Sequence, residues 1–429
     1  MKLGIIGGSG LDDPKLLQEF QEIEVDTPFG KPSSPIIKGK INDVEVYILA
    51  RHGKKHQFPP THVNNRANIF ALKKLGCKHV LATTAVGSLR EEIKRGDFIV
   101  LDQFIDFTRH RHITFFDSFD FEPQHFSLAE PFSEFLRKKV IQAARELDFD
   151  IHEKGTVITI EGPRFSTRAE SHLFRQWGAD VINMSIAPEA TLAREAELEY
   201  SAIAMSTDYD CWKQDESAVT WQEVLKIFEE NADKMKKLLI RIVEMLSKEE
   251  EVKKNVEFIK SKIRTVPNFP KQGIMFRDIT TLLKDKEGFS RLMKIFVDRY
   301  KEYEIDLIAG IESRGFVIAS AIASHLGKGL VLVRKPGKLP HETVKEEYEL
   351  EYGKDAIEIH KDAVQPGEKV LVIDDLIATG GTAAATCNLI EKLGGKVVEV
   401  AFIVELPELK GRNKLQKWPV FRVVEFEGE

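Results

Sequence analysis

The stretch Val370–Thr382, Val-Leu-Val-Ile-Asp-Asp-Leu-Ile-Ala-Thr-Gly-Gly-Thr, constrains this chain more tightly than any other. Its four leading apolar residues, two Val and one Ile among them, read as a buried strand of a parallel sheet. The strand runs straight into Asp374 and Asp375. Ala378 and Thr379-Gly380-Gly381-Thr382 then lead into a predicted helix, Ala383–Leu393, closed by Gly394-Gly395. Chemically this is a phosphate seat: glycines admit an anion to backbone N–H groups, Thr379 and Thr382 add hydroxyl donors, and the helix start adds partial positive charge. Two carboxylates at its rim suit a ribose diol, or a magnesium ion held mostly through water. No Gly-Lys-Ser/Thr follows the strand, so it differs from a Walker loop.

At 429 residues the chain exceeds one ordinary core, and length predicts more than one domain. Composition shifts once, at Ser247–Lys262, a charge-dense run without Pro or Gly. It predicts domains at 1–246 and 263–429 joined by a charged helical linker over 247–262. A net charge of −6 gives no electrostatic footprint for nucleic acid, and no apolar run is long enough to span a bilayer. Cys77, Cys211 and Cys387 are odd in number and far apart, which fits a reducing cytoplasm and no disulfide framework.

In the first domain, Lys2–Ile6 reads as a strand feeding Gly7-Gly8-Ser9-Gly10, a backbone nest with one hydroxyl. Asp13 stands where a dinucleotide fingerprint would need glycine or alanine. Val44–Leu49 ends in Arg51-His52-Gly53, and Lys78–Thr83 ends in a turn, Thr84-Ala85-Val86-Gly87-Ser88. Three strand ends thus deliver phosphate-type donors, at the edge where α/β sheets bind ligands. Further strands lead into Glu161-Gly162-Pro163-Arg164-Phe165-Ser166, Ser185-Ile186-Ala187-Pro188-Glu189 and Ser206-Thr207-Asp208-Tyr209-Asp210. Arg109-His110-Arg111-His112 reads as a solvated polar loop, with a ligand role as the alternative.

With Val25–Pro32 and Gly178–Met184, these motifs resemble the trimeric purine nucleoside phosphorylases, and most closely the 5′-methylthioadenosine phosphorylases. The resemblance covers nearly all of residues 1–240 and implies an α/β domain with a mixed central sheet. It implies a phosphate site of Ser9, Arg51, His52, Thr84 and Ser185, with Ala85, Phe165, Asn183 and Met184 around the nucleoside. Asp208 and Asp210 would face the purine edge as the catalytic acids. A neutral carboxyl there could protonate a departing base at N7, and paired acids favour a 6-aminopurine over an oxopurine. The resemblance also brings His125 in from a neighbouring subunit, with Trp221, Val224 and Leu225 over the 5′ group. Trp221 departs from the small aliphatic residue usual there.

In the second domain, Ile263–Pro270 and Phe276-Arg277-Asp278-Ile279-Thr280 open a stretch resembling adenine phosphoribosyltransferase, a type I phosphoribosyltransferase with a parallel sheet and a flexible hood. That likeness implies adenine contacts at Met275, Phe276 and Arg277. A strand at Asp306–Gly310 ends in Glu312-Ser313-Arg314, implied to cradle pyrophosphate, and Leu330–Val333 ends in the cations Arg334, Lys335 and Lys338. The polar run His341–Gly353 would be the hood, with Glu351 handling a proton at adenine N9 and Tyr352 closing over the site. The Val370–Thr382 seat, with Asp374 and Asp375, would grip phosphoribosyl pyrophosphate (PRPP) and its magnesium.

The two halves together predict consecutive reactions: adenine released from methylthioadenosine by phosphate, then joined to PRPP to give AMP. The rivals are an adenosine phosphorylase of other 5′ preference in the first half, and a PRPP-sensing regulator without catalysis in the second. Small molecules are the expected partners, and the resemblances imply a homo-oligomer, trimeric through one domain and dimeric through the other, compatible with a hexamer.

Overall fold

The computed structural model describes residues 1–7, 17–42, 44–119, 122, 125–213, 220–350 and 353–427, with backbone alone at 18, 221, 223–225, 228, 349, 350, 353 and 354. Ser9, Glu351 and Tyr352 therefore lie outside the described residues, as do the side chains of Trp221, Val224 and Leu225. The chain divides into two compact units, Met1–Glu250 and Glu251–Glu429. Among the described residues no helix is long and apolar enough to cross a membrane.

In the first unit β1 (Lys2–Gly7), β2 (Gln18–Ile23), β3 (Ile36–Ile41) and β4 (Val44–Ala50) precede α1 (Asn65–Lys74). Then come β5 (His79–Ser88), β6 (Phe98–Val100), β7 (Gln103–Phe107) and α2 (Glu134–Glu146). β8 (Ile151–His152), β9 (Thr156–Ile160) and α3 (Arg168–Gln176) lead to β10 (Val181–Asn183), α4 (Ile186–Glu195) and β11 (Glu199–Asp208). Among the described residues these strands form one mixed sheet, ordered β2-β3-β4-β1-β5-β10-β9-β7, with β11 and β6 branching from β5 and β8 beyond them.

Alternate residues of the central strands enter different cores. Ile6, Val80, Ala82 and Ala202 pack with Ala190, Leu192 and Ala193 of α4. Leu3, Ile5, Leu81 and Ile203 pack with Leu136 and Val140 of α2. Burial on both faces is what their near-continuous apolar sequences require. β5 is parallel to β11 from His79 to Gly87, parallel to β1 over His79–Ala82, and antiparallel to β10 at Gly87 and Ser88. The pairing with β11, continued by β10, is why Thr84–Ser88, predicted as a turn, is strand.

A helix of 42 residues, α5 (Trp221–Lys262), contains the charge-dense run, and the boundary between the two units falls inside it. Its residues Leu238, Leu239 and Ile242 belong to the first unit's core, and Ile259 to the second's.

The second unit opens with a hairpin, β12 (Arg264–Pro267) and β13 (Met275–Asp278), then α6 (Thr280–Lys284) and α7 (Lys286–Tyr300). β14 (Leu307–Ile311), α8 (Arg314–Leu326) and β15 (Gly329–Val333) follow, then the antiparallel pair β16 (Thr343–Leu350) and β17 (Gly353–His360). β18 (Lys369–Ile377), α9 (Gly381–Lys392), β19 (Lys396–Glu405) and β20 (Val420–Glu425) complete it. The main sheet, β15-β14-β18-β19-β20, is parallel at every pairing, and the β16–β17 hairpin occupies the predicted hood segment. β18 outruns its apolar sequence because β19 pairs with it as far as Ile377↔Glu405. Asp374 and Asp375 are thus strand residues with side chains to opposite faces.

Leu239 is fully buried in the first core. Leu239→Ala is expected to lower the stability of this unit by ~2–5 kcal/mol through lost burial and a residual cavity; an unchanged urea midpoint would show that α5 does not pack as described.

Candidate active sites

In the first unit the C-terminal ends of β4, β5, β9, β10 and β11 converge on a cavity of about 430 Å³. Its lining includes Arg51, just past β4, and Thr84, Asn183 and Ser185. Asn183 fixes the hydroxyls: its Nδ2 donates to Thr84 Oγ1 (3.3 Å) and its Oδ1 accepts from Thr159 Oγ1 (2.8 Å) and Ser185 N. Thr84 Oγ1 and Ser185 Oγ stand 3.3 Å apart. Ser185 precedes α4 without capping it, so the helix start is left open to an anion.

Arg51 is buried, 2% exposed. Its Nε and Nη2 donate to the two carboxylate oxygens of Glu189, at 2.5 and 3.0 Å, and its Nη1 donates to Thr83 O. Tyr200 donates its phenol proton to Glu189 Oε2. Burial opposes the guanidinium's charge, but Glu189 holds the Arg51 pKa above its ordinary value. His52 is pushed down to about 4 by burial and by the Arg51 charge, so it is neutral at pH 7. Its Nδ1–H donates to Phe58 O (3.0 Å), which leaves Nε2 as the acceptor end of the ring.

The same cavity is lined by Asp208 and Asp210. A register shift in β11 between Ser206 and Asp208 re-aims Asp208. Gly87 makes room for it, since a Cβ there would stand 2.9 Å from Asp208 Oδ1. Burial pushes Asp208 up to about 6, although the Thr207 hydroxyl and the Asp210 N–H donate to it, each at 2.8 Å. The Ser166 hydroxyl lies 2.6 Å from both oxygens of Asp210. Ala85, Phe165 and Met184 also line the cavity.

His125 is exposed, edge-on to Phe119 at 6.3 Å, and does not line the cavity of its own chain. In the loop at 109–112, Arg109, His110 and His112 are exposed, as expected, while the Arg111 side chain is tucked in. Glu161 accepts from the backbone N–H groups of Arg109 and His110 and from Arg111 Nε, and these bonds hold its pKa down at about 2 against burial. Arg111 reaches on to Met184 O at 3.1 Å, tying the loop to the cavity wall.

In the second unit a cavity of about 90 Å³ lies against Asp374, Ala378 and Thr379–Thr382. Gly380 adopts φ +74°, and a Cβ there would meet Gly411 O at 2.3 Å, so the loop closes on its neighbour only with glycine. Asp375 is buried, and its Oδ2 lies 2.9 Å from Arg314 Nε. Burial pushes both acids of the pair up; the adjacent carboxyl adds to this for Asp374, and Arg314 opposes it for Asp375. Arg314 also lies 5.2 Å from the Phe276 ring, bringing the candidate base segment beside the pyrophosphate turn. Met275 is exposed.

The cations after β15 are held by the chain's own acids. Glu312 takes Lys338 Nζ, Arg334 Nε (3.4 Å) and the Lys335 N–H (3.0 Å), while Lys335 Nζ reaches Asp355 on β17 (3.0 Å). Burial would raise the Glu312 pKa, but Lys338 and the Lys335 amide hold it down. Arg277 departs from its expected place at the base edge. It is buried, donating to Thr265 Oγ1 (2.6 Å) across the β12–β13 hairpin and to Glu427 O (2.9 Å), and it stacks over Phe426. Glu189, Ser166, Glu161 and Asp355 had no assigned part in the sequence reading. Glu189 had one signal, a lone acid near the start of an otherwise apolar helix.

The sequence profile of the phosphorylase superfamily matches residues 2–244, and that of the phosphoribosyl transferase domain matches residues 278–427. S-methyl-5′-thioadenosine phosphorylase of Drosophila melanogaster is 51% identical over 253 residues, 58% of this chain and 88% of that protein. The enzyme of the same name from Thermofilum pendens is 50% identical over 251 residues, 58% of this chain and 94% of its own. A solved methylthioadenosine phosphorylase from Schistosoma mansoni in complex with adenine is 44% identical with a TM-score of 0.55, covering 57% of this chain and 92% of that one. The chain belongs to the phosphorylase superfamily through its N-terminal unit and carries a phosphoribosyl transferase domain in its C-terminal unit.

Proposed function

We propose that the N-terminal unit cleaves 5′-methylthioadenosine with phosphate, and that the C-terminal unit joins the released adenine to PRPP. The observation that carries the first half is one cavity lined both by an anion seat and by a buried carboxyl, that of Asp208, whose pKa burial raises to about 6. Phosphate would bind between Arg51, Thr84, Ser185 and the start of α4, with the sugar over Met184. A phosphate oxygen then bonds to C1′ as the C1′–N9 bond breaks. The electron pair passes into the purine, and Asp208 gives a proton to N7. The products are adenine and 5-methylthioribose 1-phosphate. Asp210, braced by Ser166, stands at the purine edge as an acceptor for the exocyclic amine. The relatives' names support methylthioadenosine as the nucleoside.

In the second unit, Arg314, Arg334, Lys335, Lys338 and the Thr379–Thr382 loop would hold PRPP, with adenine beside Met275 and Phe276. Adenine N9 bonds to C1 as the bond to pyrophosphate breaks and its electron pair leaves with the pyrophosphate. Among the described residues no three His, Cys or acidic side chains converge on a metal position. Asp374, at the loop cavity, and the buried Asp375, whose Oδ2 faces Arg314, suit a magnesium held mostly through water, its other ligands being PRPP oxygens. When bound, the ion would neutralise the departing pyrophosphate. Glu351 remains the proposed proton carrier at N9, under a hood completed by Tyr352. A homo-oligomer in which His125 completes a neighbour's 5′ pocket fits its exposed position.

A mixture of methylthioadenosine, phosphate, PRPP and magnesium is expected to yield AMP on chromatography, and the same mixture without PRPP to accumulate adenine. No adenine in the second mixture would refute the first reaction; adenine with no AMP in the first would refute the second. Asp208→Asn should lower kcat for methylthioadenosine by ~100-fold or more. The donating form of Asp208 is the neutral one, populated below about 6, so wild-type kcat/KM should fall as pH rises through that value. A profile flat from pH 5 to pH 8 would count against Asp208 as the acid. Asp375→Asn and Glu351→Leu should each abolish AMP formation while adenine release continues at its wild-type rate; loss of both activities would show that the effect is not confined to the second site.

A further inference from the structure

Among the described residues, the groups around the anion seat carry little net charge. Arg51 is matched by Glu189, both buried, in a two-point ion pair that Tyr200 completes from behind. His52 is neutral at pH 7. Arg111, the next cation, is matched by Glu161 at 2.9 Å. The remaining donors among the described residues, Thr84, Ser185 and the start of α4, are dipoles. Glu189 itself touches no cavity space, lying behind Arg51 in the first turn of α4. A seat meant only to grip a polyanion would gain from an unmatched arginine, and this fold instead places a carboxylate against it in a fully buried position.

We propose that Glu189 is a positioning residue that keeps Arg51 charge-balanced, so that phosphate is oriented by hydrogen bonds yet retains its own negative charge for the cation forming at C1′. This rests on the phosphorolysis reading above. An anion fully neutralised by its site is a poorer nucleophile and a poorer electrostatic partner for an oxocarbenium-like sugar. A carboxylate behind the arginine weakens ground-state binding and favours the transition state, where positive charge on the sugar takes over as partner.

Glu189→Gln keeps the shape and removes the charge. Its phosphate KM is expected to fall about fivefold or more while kcat falls on the order of tenfold or more, tighter binding with slower turnover, a combination that a merely structural residue would not produce. Equilibrium binding gives a second readout without turnover. Phosphate should raise the melting temperature of Glu189→Gln more than that of the wild type, because the ligand supplies the missing negative charge. A variant recovered only in the presence of phosphate or sulfate would support the inference in the same way. Tyr200→Phe disturbs the same network without changing its charge, and should move the phosphate KM by less than about twofold. An unchanged or raised phosphate KM in Glu189→Gln, an equal or smaller thermal shift, or an equal tightening in Tyr200→Phe would overturn it. Wild-type protein that releases no adenine from methylthioadenosine and phosphate would instead overturn the reading beneath it.

Discussion

One ten-residue strand, β5, has partners on both sides and changes partner along its length, and the first site depends on that change. Between His79 and Ala82 it is flanked by β1 and β11, running parallel to both. β1 ends at Gly7, and at Gly87 and Ser88 β5 meets β10 running the other way. The segment between the two pairings, Thr84–Val86, is therefore strand backbone with a ligand-sized space beside it. Its Thr84 hydroxyl meets Asn183 on β10, and its Gly87 admits Asp208 from β11. Anion seat and acid are thus both placed by the same strand.

The second unit reaches an anion site by a different route. Its sheet is parallel throughout, so each strand delivers its C-terminal end to one edge and the next helix begins there. β14 leads into Arg314 at the start of α8, and β18 leads into Gly381 at the start of α9. The two turns meet where Arg314 pairs with Asp375. This arrangement needs no strand to change partner, only a glycine at Gly380 so that the loop can lie against Gly411.

Most of this was legible because strands buried on both faces are near-continuous apolar runs, and whatever follows such a run lies at the ligand edge. Arg51, Ser185, Arg314, Arg334 and Thr379–Thr382 could be read that way. What the sequence hid depends on long-range pairing. Thr84–Ser88 is strand because β11 and β10 pair with it, and both come about a hundred residues or more later in the chain. Asp374 and Asp375 read as a strand's end because the extra pairing comes from β19. Arg277 is as polar as a base-edge ligand, and its burial follows from the Thr265 and Glu427 partners that no local pattern reveals. Asp355 sits in a hairpin whose composition is that of any solvated surface.

The two units also differ in how they match their cations, and the proposed chemistries explain the difference. In the first, Arg51 is balanced from behind by a carboxylate buried in α4, which a ligand cannot displace without unpacking the core. In the second, Lys338 and Arg334 are balanced by Glu312, and Lys335 by Asp355, through side chains that are partly exposed. Being partly exposed, those pairs can open without unpacking a core, so an incoming polyanion could replace the acids and keep the positive charge of the segment. Phosphate in the proposed phosphorolysis must act as a nucleophile, and it is stronger for being left under-neutralised. Pyrophosphate in the proposed transfer must leave, and it departs more readily the more completely its charge is drawn off. One reaction wants its anion oriented and the other wants it neutralised. A fixed, buried counter-ion on the arginine serves the first need, and partly exposed, displaceable counter-ions on the lysines serve the second.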